Sequence, residues 1–128
     1  MLIRSFEKHN KISWMITLIG ACLIFYISSL TFDYSVGVFS LSYASIAYHV
    51  LAFFCFGFFL LISIVRGKNE RGLFILGALI AFIYAISDEV HQYFVAGRYC
   101  TGFDVLLDSI GIMLVGLIYG CVILYRRS

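Results

Sequence analysis

The sequence predicts an all-α integral membrane protein, a four-transmembrane-helix bundle forming one domain over residues 1–128. Three observations predict it. Hydrophobic residues make up 62% of the chain and charged residues only 12%, against roughly 45–50% and about 25% in a soluble domain. The apolar residues lie in long blocks rather than in short alternating runs. The basic residues collect in short clusters between those blocks. A soluble chain of this size has too little interior to bury so much apolar side chain, whereas lipid can solvate the excess.

Crossing a hydrocarbon core of roughly 30 Å takes about 20 helical residues. The blocks Ile12–Leu30, Tyr43–Val65, Gly72–Ser87 and Val105–Tyr125 approach or reach that length. The third is short, so it must borrow the start of the polar stretch after it or tilt little. In lipid every backbone N–H and C=O must be bonded within the structure, so each block reads as a helix. A barrel would need alternating strands of about ten residues, and the sequence has no such pattern. The first block is long and lacks a small-x-small cleavage site, so it reads as a retained first helix rather than a signal peptide.

Arg4, Lys8 and Lys11 precede the first span, Arg66, Lys68 and Arg71 lie between the second and third, and Arg126 and Arg127 follow the fourth. The link Thr31–Ser42 has no Lys or Arg, and the link between spans three and four has only Arg98. The positive-inside rule then predicts a multi-pass protein of the cell membrane with both termini in the cytoplasm. The net charge of +2 reflects clusters suited to anionic inner-leaflet lipid, and no nucleic-acid partner is expected. Cys22, Cys55 and Cys121 fall within spans and read as small buried hydrophobes. Cys100 lies in an outer link and no CxxC spacing occurs, so no intrachain disulfide is expected. Gly77, Ala81 and Ala85 on the third span, and Gly116 and Gly120 on the fourth, form small faces for close helix approach; a homo-oligomer interface is one use for such faces. Trp14, Tyr43, Tyr93 and Tyr125 sit near expected interfaces, where amphipathic rings are favoured.

The chemistry gathers at the end of span three, in Ser87-Asp88-Glu89-Val90-His91-Gln92-Tyr93-Phe94. Continued as helix, this run sets Asp88 one turn from Gln92 and three residues from His91. Asp88 and Glu89 point about 100° apart, so without a turn or partner helix they cannot face one point. Asp104 and Asp108 share a face of span four. Asp104 suits an N-cap, while Asp108 lies in an apolar run, where an ionisable group is costly and faces the bundle interior. His49, two turns into span two, lies at a depth that lets it approach Asp108. Arg98 can pair with a carboxylate or receive an anion. The expectation is therefore one outward-facing hollow. Glu89, His91 and Asp108 are the catalytic candidates, and His49, Asp88, Gln92, Arg98 and Asp104 bind substrate. Carboxylate beside imidazole supports acid-base work, Arg holds phosphate, and the same groups suit a divalent cation. No HExxH, paired Cys, glycine-rich phosphate loop or nucleophile elbow occurs.

The run Asp88-Glu89-Val90-His91-Gln92-Tyr93-Phe94-Val95-Ala96-Gly97-Arg98, followed by Asp104 to Gly111, resembles the VanZ-like family signature Asp-Glu-x-His-Gln-x-Phe-x-x-Gly-Arg, a gap, then Asp-x-x-x-Asp-x-x-Gly. Phe25-Tyr26-Ile27-Ser28-Ser29 and His49 extend the resemblance upstream, to roughly Ile12–Gly120. The sequence departs at Ile46, where members often carry lysine, and at Ala96, where many carry proline. The resemblance implies a role in the cell envelope. The family's founding association is with low-level resistance to teicoplanin, an antibiotic acting outside the cell on wall precursors. It implies no particular reaction.

Two function classes follow. One is an enzyme or binder of an amphiphilic, lipid-linked anionic envelope precursor, with membrane lipid around it. The other is a non-enzymatic structural or accessory protein whose polar cluster stabilises the bundle or a partner interface. A minimal transporter fits less well, because no polar stripe continues to the cytoplasmic side.

Overall fold

The computed structural model describes residues 2–30, 43–98 and 101–126. The link Thr31–Ser42 with Asp33, together with Cys100 and Arg127, lies outside the described residues. Each apolar block is helical, and among the described residues there is no strand. A short helix α1 (Leu2–Lys8) precedes the four long ones, α2 (Asn10–Ser28), α3 (Tyr43–Val65), α4 (Arg71–Tyr93) and α5 (Gly102–Tyr125). The four long helices have the length and apolarity to cross a membrane. The third span reaches full length by drawing in Asp88 to Tyr93, so these polar residues are helical and keep helical spacing. Helix α1 has no counterpart in the sequence expectation, since seven residues ending in Lys8 show too little apolar run to stand out.

The outward faces of α2, α4 and α5 present Leu18, Leu23, Ile83, Met113 and Leu117. In a soluble domain such faces would drive aggregation; in lipid they are solvated. Cys22 on α2, Cys55 on α3 and Cys121 on α5 are free and exposed rather than buried, a correction to the sequence expectation. Tyr43, Tyr93 and Tyr125 are exposed at helix ends.

Helix α3 is central and packs against each of the other four. Towards the end of the bundle bearing the chain's N-terminus, Leu61, Ile62 and Val65 meet Val115, Tyr119 and Ile123. Further along, Phe53, Phe56 and Leu60 meet Ile24, Ala81, Ala85 and Ile112. With lipid outside, helix association rests on close packing rather than on removal of apolar surface from water. The small faces make that packing possible. Ala81 and Ala85 are fully buried against this core, and Gly77 lies under Leu61. Gly116 and Gly120 seat the ring of Phe74.

Gly111 is the tightest point. A Cβ there would run into the carbonyl oxygen of Val50 and lie 2.9 Å from the backbone nitrogen of Phe54. Both are backbone atoms that cannot swing aside. Only glycine lets the α5 backbone sit directly on α3, one turn from Asp108 and beside His49.

The end of the bundle that holds α1 is tied by charge. Glu7 accepts from Arg126 at 2.7 and 2.9 Å and from the Tyr119 hydroxyl at 3.0 Å. Tyr119 in turn accepts from the Gly67 N–H. The chain leaves α3 through Arg66 and Gly67, both with positive φ, 55° and 70°. Asn10, with its amide oriented to suit both neighbours, donates to the Ser63 carbonyl at 3.0 Å and accepts from Arg66 at 2.6 Å.

Candidate functional site at the polar end of the bundle

The opposite end holds Asp88, Glu89, Asp108 and His49, all at most 4% exposed. Their placement follows from helix geometry. Adjacent residues on α4 point about 100° apart, and the structure uses that divergence to build two groups rather than one hollow.

The first group joins α4 to α2. The Ser28 hydroxyl donates to Asp88 Oδ2 at 2.9 Å, and Gln92, one turn on, donates to the same oxygen at 2.9 Å. Ser29 Oγ lies 2.9 Å from His91 Nε2, and the His91 ring stacks on Phe25 at 4.2 Å. His91 therefore lies on the α2 side, apart from Asp108. This corrects the expected convergence of His91 with Asp108, and the reason is local: positions 88, 91 and 92 share one helical face.

The second group joins α3, α4 and α5. His49 Nδ1 lies 2.9 Å from Asp108 Oδ1, a ring N–H donating to a carboxylate. His49 Nε2 lies 3.9 Å from Asp104 Oδ1, beyond hydrogen-bond reach. Glu89 Oε2 accepts the Thr101 N–H at 3.1 Å. The start of α5 is fixed by a reciprocal cap. Thr101 is the N-cap, its hydroxyl accepting from the Asp104 N–H and donating to Asp104 Oδ2 at 2.8 Å. Asp104 is thus the third residue of the helix rather than its N-cap, as the sequence alone suggested. Threonine two residues before Phe103 carries the capping-box spacing, with Asp in place of Glu or Gln.

Arg98 comes back over this end because the chain turns after α4. Phe94, Val95 and Arg98 each donate to the carbonyl three residues earlier, and Gly97 takes φ +78°, a conformation that strains any side chain. That turn lets the Arg98 guanidinium donate to the Ile27 carbonyl at 3.3 Å. The Gly-Arg pair has a physical reason: glycine makes the turn and arginine uses it.

Several residues that sequence reasoning left out of the site prove to build it. Ser28 and Ser29 anchor Asp88 and His91. Thr101 holds both Glu89 and Asp104. Tyr48 sets its ring edge-on to His49, 5.4 Å between centroids. The Ser28-Ser29 pair at the end of the first span was the available signal, since paired hydroxyls next to a membrane surface suit buried acids.

Some hydrogen-bonding capacity at this end is unused. Glu89 Oε1, Asp108 Oδ2, Asp88 Oδ1 and the Tyr48 hydroxyl are buried without a hydrogen-bond partner among the described residues. Buried polar atoms are ordinarily bonded, so these four depart from the usual pattern. Ligand atoms of His49, Glu89 and Asp108 also lie within 4.8 Å of one another, close enough for one metal ion to draw on all three. Beside the site, an apolar groove of about 220 Å³ runs between α2 and α3, from Ile16 and Phe59 to Ile27 and Tyr48.

The VanZ/LLP1 family model matches residues 4–124. The chain belongs to the VanZ/LLP1 family. Neither the comparison with curated proteins nor that with solved structures gave a match. Family membership and the four apolar helices together make this a multi-pass VanZ-family membrane protein. The match spans both polar groups, from the first-span serines to Asp108.

Proposed function

We propose that the polar end binds a lipid-linked anionic substrate of the cell envelope at the outer membrane surface. The observation that carries this reading is the continuity of groove and cluster. The apolar groove between α2 and α3 ends at Tyr48 and Ile27. Tyr48 is the neighbour of His49, and the Ile27 carbonyl takes the Arg98 guanidinium. A hydrocarbon chain lying in the groove would bring its head group to Arg98, the one Lys or Arg in the two links at this end of the sequence. The basic flanks at the other end favour an outward orientation for this one.

The geometry supports acid-base chemistry on a bound head group. His49, oriented by Asp108, and Glu89 are the groups placed for proton transfer. Asp108 orients His49, and Asp104 lies near its other ring nitrogen at 3.9 Å. Asp88, Gln92 and His91 act through α2, holding that helix against α4. The carriage of teicoplanin resistance by this chain would be one outcome of handling such a precursor.

The test is lipid retention. Protein purified in mild detergent is offered a polyprenyl phosphate and a zwitterionic phospholipid in equal amounts, and the bound lipid is read by native mass spectrometry. The expected result is preferential retention of the polyprenyl phosphate, reduced roughly tenfold in Arg98→Gln, the scale of losing one charge-assisted hydrogen bond. Equal retention of both lipids would sink the proposal.

The accessory reading draws on one observation, the Ser28–Asp88–Gln92 contact that fastens α2 to α4. If the whole polar end served only to fasten helices, Ser28→Ala would lower bundle stability as much as His49→Ala does, and neither would alter lipid retention.

A further inference from the structure

The second polar group has a charge problem that its own hydrogen bonds leave open. Glu89 and Asp108 are 2% and 0% exposed. Each has one oxygen engaged, Glu89 by a backbone N–H and Asp108 by a histidine ring. Each has a second oxygen buried with no hydrogen-bond partner among the described residues. Buried carboxylates are ordinarily paired or bound to a metal. A purely structural cluster gains nothing from two bare oxygens in a low-dielectric setting.

We propose that His49, Glu89 and Asp108 bind one divalent transition-metal ion, with Asp104 at the rim of the site. The inference deepens the substrate reading above, since a cation here would let an anionic head group approach four carboxylates. Three lines carry it. Ligand atoms of the three residues lie within 4.8 Å of one another. Donors on one ion with bonds of roughly 2.1 Å stand up to about 4.2 Å apart, so side-chain movement of about half an ångström closes the set. The two bare oxygens belong to two of these three residues. One imidazole with two carboxylates is a mixed nitrogen and oxygen set, which suits Zn²⁺ or Mn²⁺ better than an all-oxygen cation such as Ca²⁺. The packing is rigid where it matters: Gly111 sets α5 on α3 and the Thr101–Asp104 cap fixes the start of α5. The capped Asp104 keeps Oδ1 turned to His49 Nε2 at 3.9 Å, a gap too long for a hydrogen bond.

The experiment uses full-length protein without a histidine tag, in detergent, treated with chelator and then dialysed. Mn²⁺ binding is followed by electron paramagnetic resonance of the free ion, and Zn²⁺ is tested as competitor. The expected result is saturable binding of one Mn²⁺ per chain, displaced by Zn²⁺, with Ca²⁺ a poor competitor. Affinity falls at least tenfold in Glu89→Gln and Asp108→Asn, both close in size to the native residue. His9→Ala, at the other end of the chain, keeps wild-type affinity. Circular dichroism and thermal melting verify that each variant is folded, and Mn²⁺ raises the melting temperature of wild type but not of Asp108→Asn. Absence of saturable binding in wild type, or equal affinity in the folded Glu89 and Asp108 variants, overturns the proposal. Repeating lipid retention on chelated protein separates the two readings. Metal binding without lipid preference keeps the metal site and overturns the substrate reading, whereas lipid preference without metal binding does the reverse.

Discussion

At the end of the bundle where α1 meets α5, Glu7 takes hydrogen bonds from Arg126 on both oxygens and a third from Tyr119. At the opposite end, among the described residues, Asp108 takes one bond from His49 and leaves Oδ2 bare, and Glu89 takes one from Thr101 and leaves Oε1 bare. Both ends pay the cost of holding carboxylates out of water. At the first the cost is offset by an arginine and a tyrosine hydroxyl, so that end reads as a clasp. At the second it is only partly offset, which is the expected signature of groups kept for a ligand rather than for the fold. The number of engaged oxygens on each acid distinguishes Glu7 from Glu89 and Asp108, with Asp88 between them: its Oδ2 takes two bonds and its Oδ1 takes none among the described residues.

The largest effect is expected at Gly111, which sets the height of Asp108 against His49. Gly111→Ala forces backbone against backbone and should cost about 3 kcal/mol or more, the upper range for overpacking. Thermal unfolding in detergent would measure it, and a melting temperature equal to wild type would show that α5 does not need this approach. Next comes Glu7→Gln. It leaves Arg126 partly buried without its counter-charge and should cost about 2–4 kcal/mol, with chemical denaturation in micelles as the measurement. A loss below about 0.5 kcal/mol would mean that the clasp is a surface pair of little weight.

Smaller, and of opposite sign, is the response expected at the end that holds Glu89 and Asp108. Asp108→Asn and Glu89→Gln remove charges that are incompletely bonded. In metal-free protein each should leave stability unchanged or raise it by up to about 1 kcal/mol, the range seen when a functional site is relaxed. A loss matching that of Glu7→Gln would put these acids in the structural class and end the contrast between the two ends. The smallest effect belongs to Gly77→Ala. The added methyl comes tightly against Leu61 Cδ2, at 2.9 Å, the far end of a flexible side chain, with Ile64 Cδ1 at an ordinary 3.6 Å. Relief by a rotamer change and the better helix propensity of Ala nearly cancel, so the shift should stay within about 0.5 kcal/mol. A cost approaching that of Gly111→Ala would show that α4 is as tightly seated on α3 as α5 is.

Much of the molecule is legible in the chain by itself. Four spans follow from hydropathy and length, because lipid demands a bonded backbone and about 20 apolar residues per crossing. The gathering of Asp88, Glu89, Asp104 and Asp108 at one end follows as well, since antiparallel helices bring the close of the third span beside the start of the fourth. Even the divergence of Asp88 from Glu89 is a property of the 3.6-residue turn. What local spacing leaves undetermined is rotation of one helix about its axis relative to another. That rotation decides whether His91 meets Ser29 or Asp108, residues 62 and 17 positions away, and only cross-helix packing sets it. The same holds for Glu7 and Arg126, which meet across a sequence separation of 119 and carry no shared motif. The pairing of His49 with Asp108 rests on Gly111, where the lack of a side chain lets two backbones touch. Hydropathy and helical period thus determine which residues reach each end of the bundle, while close packing decides which of them touch, because contact between helices depends on side-chain volumes brought together from distant parts of the chain.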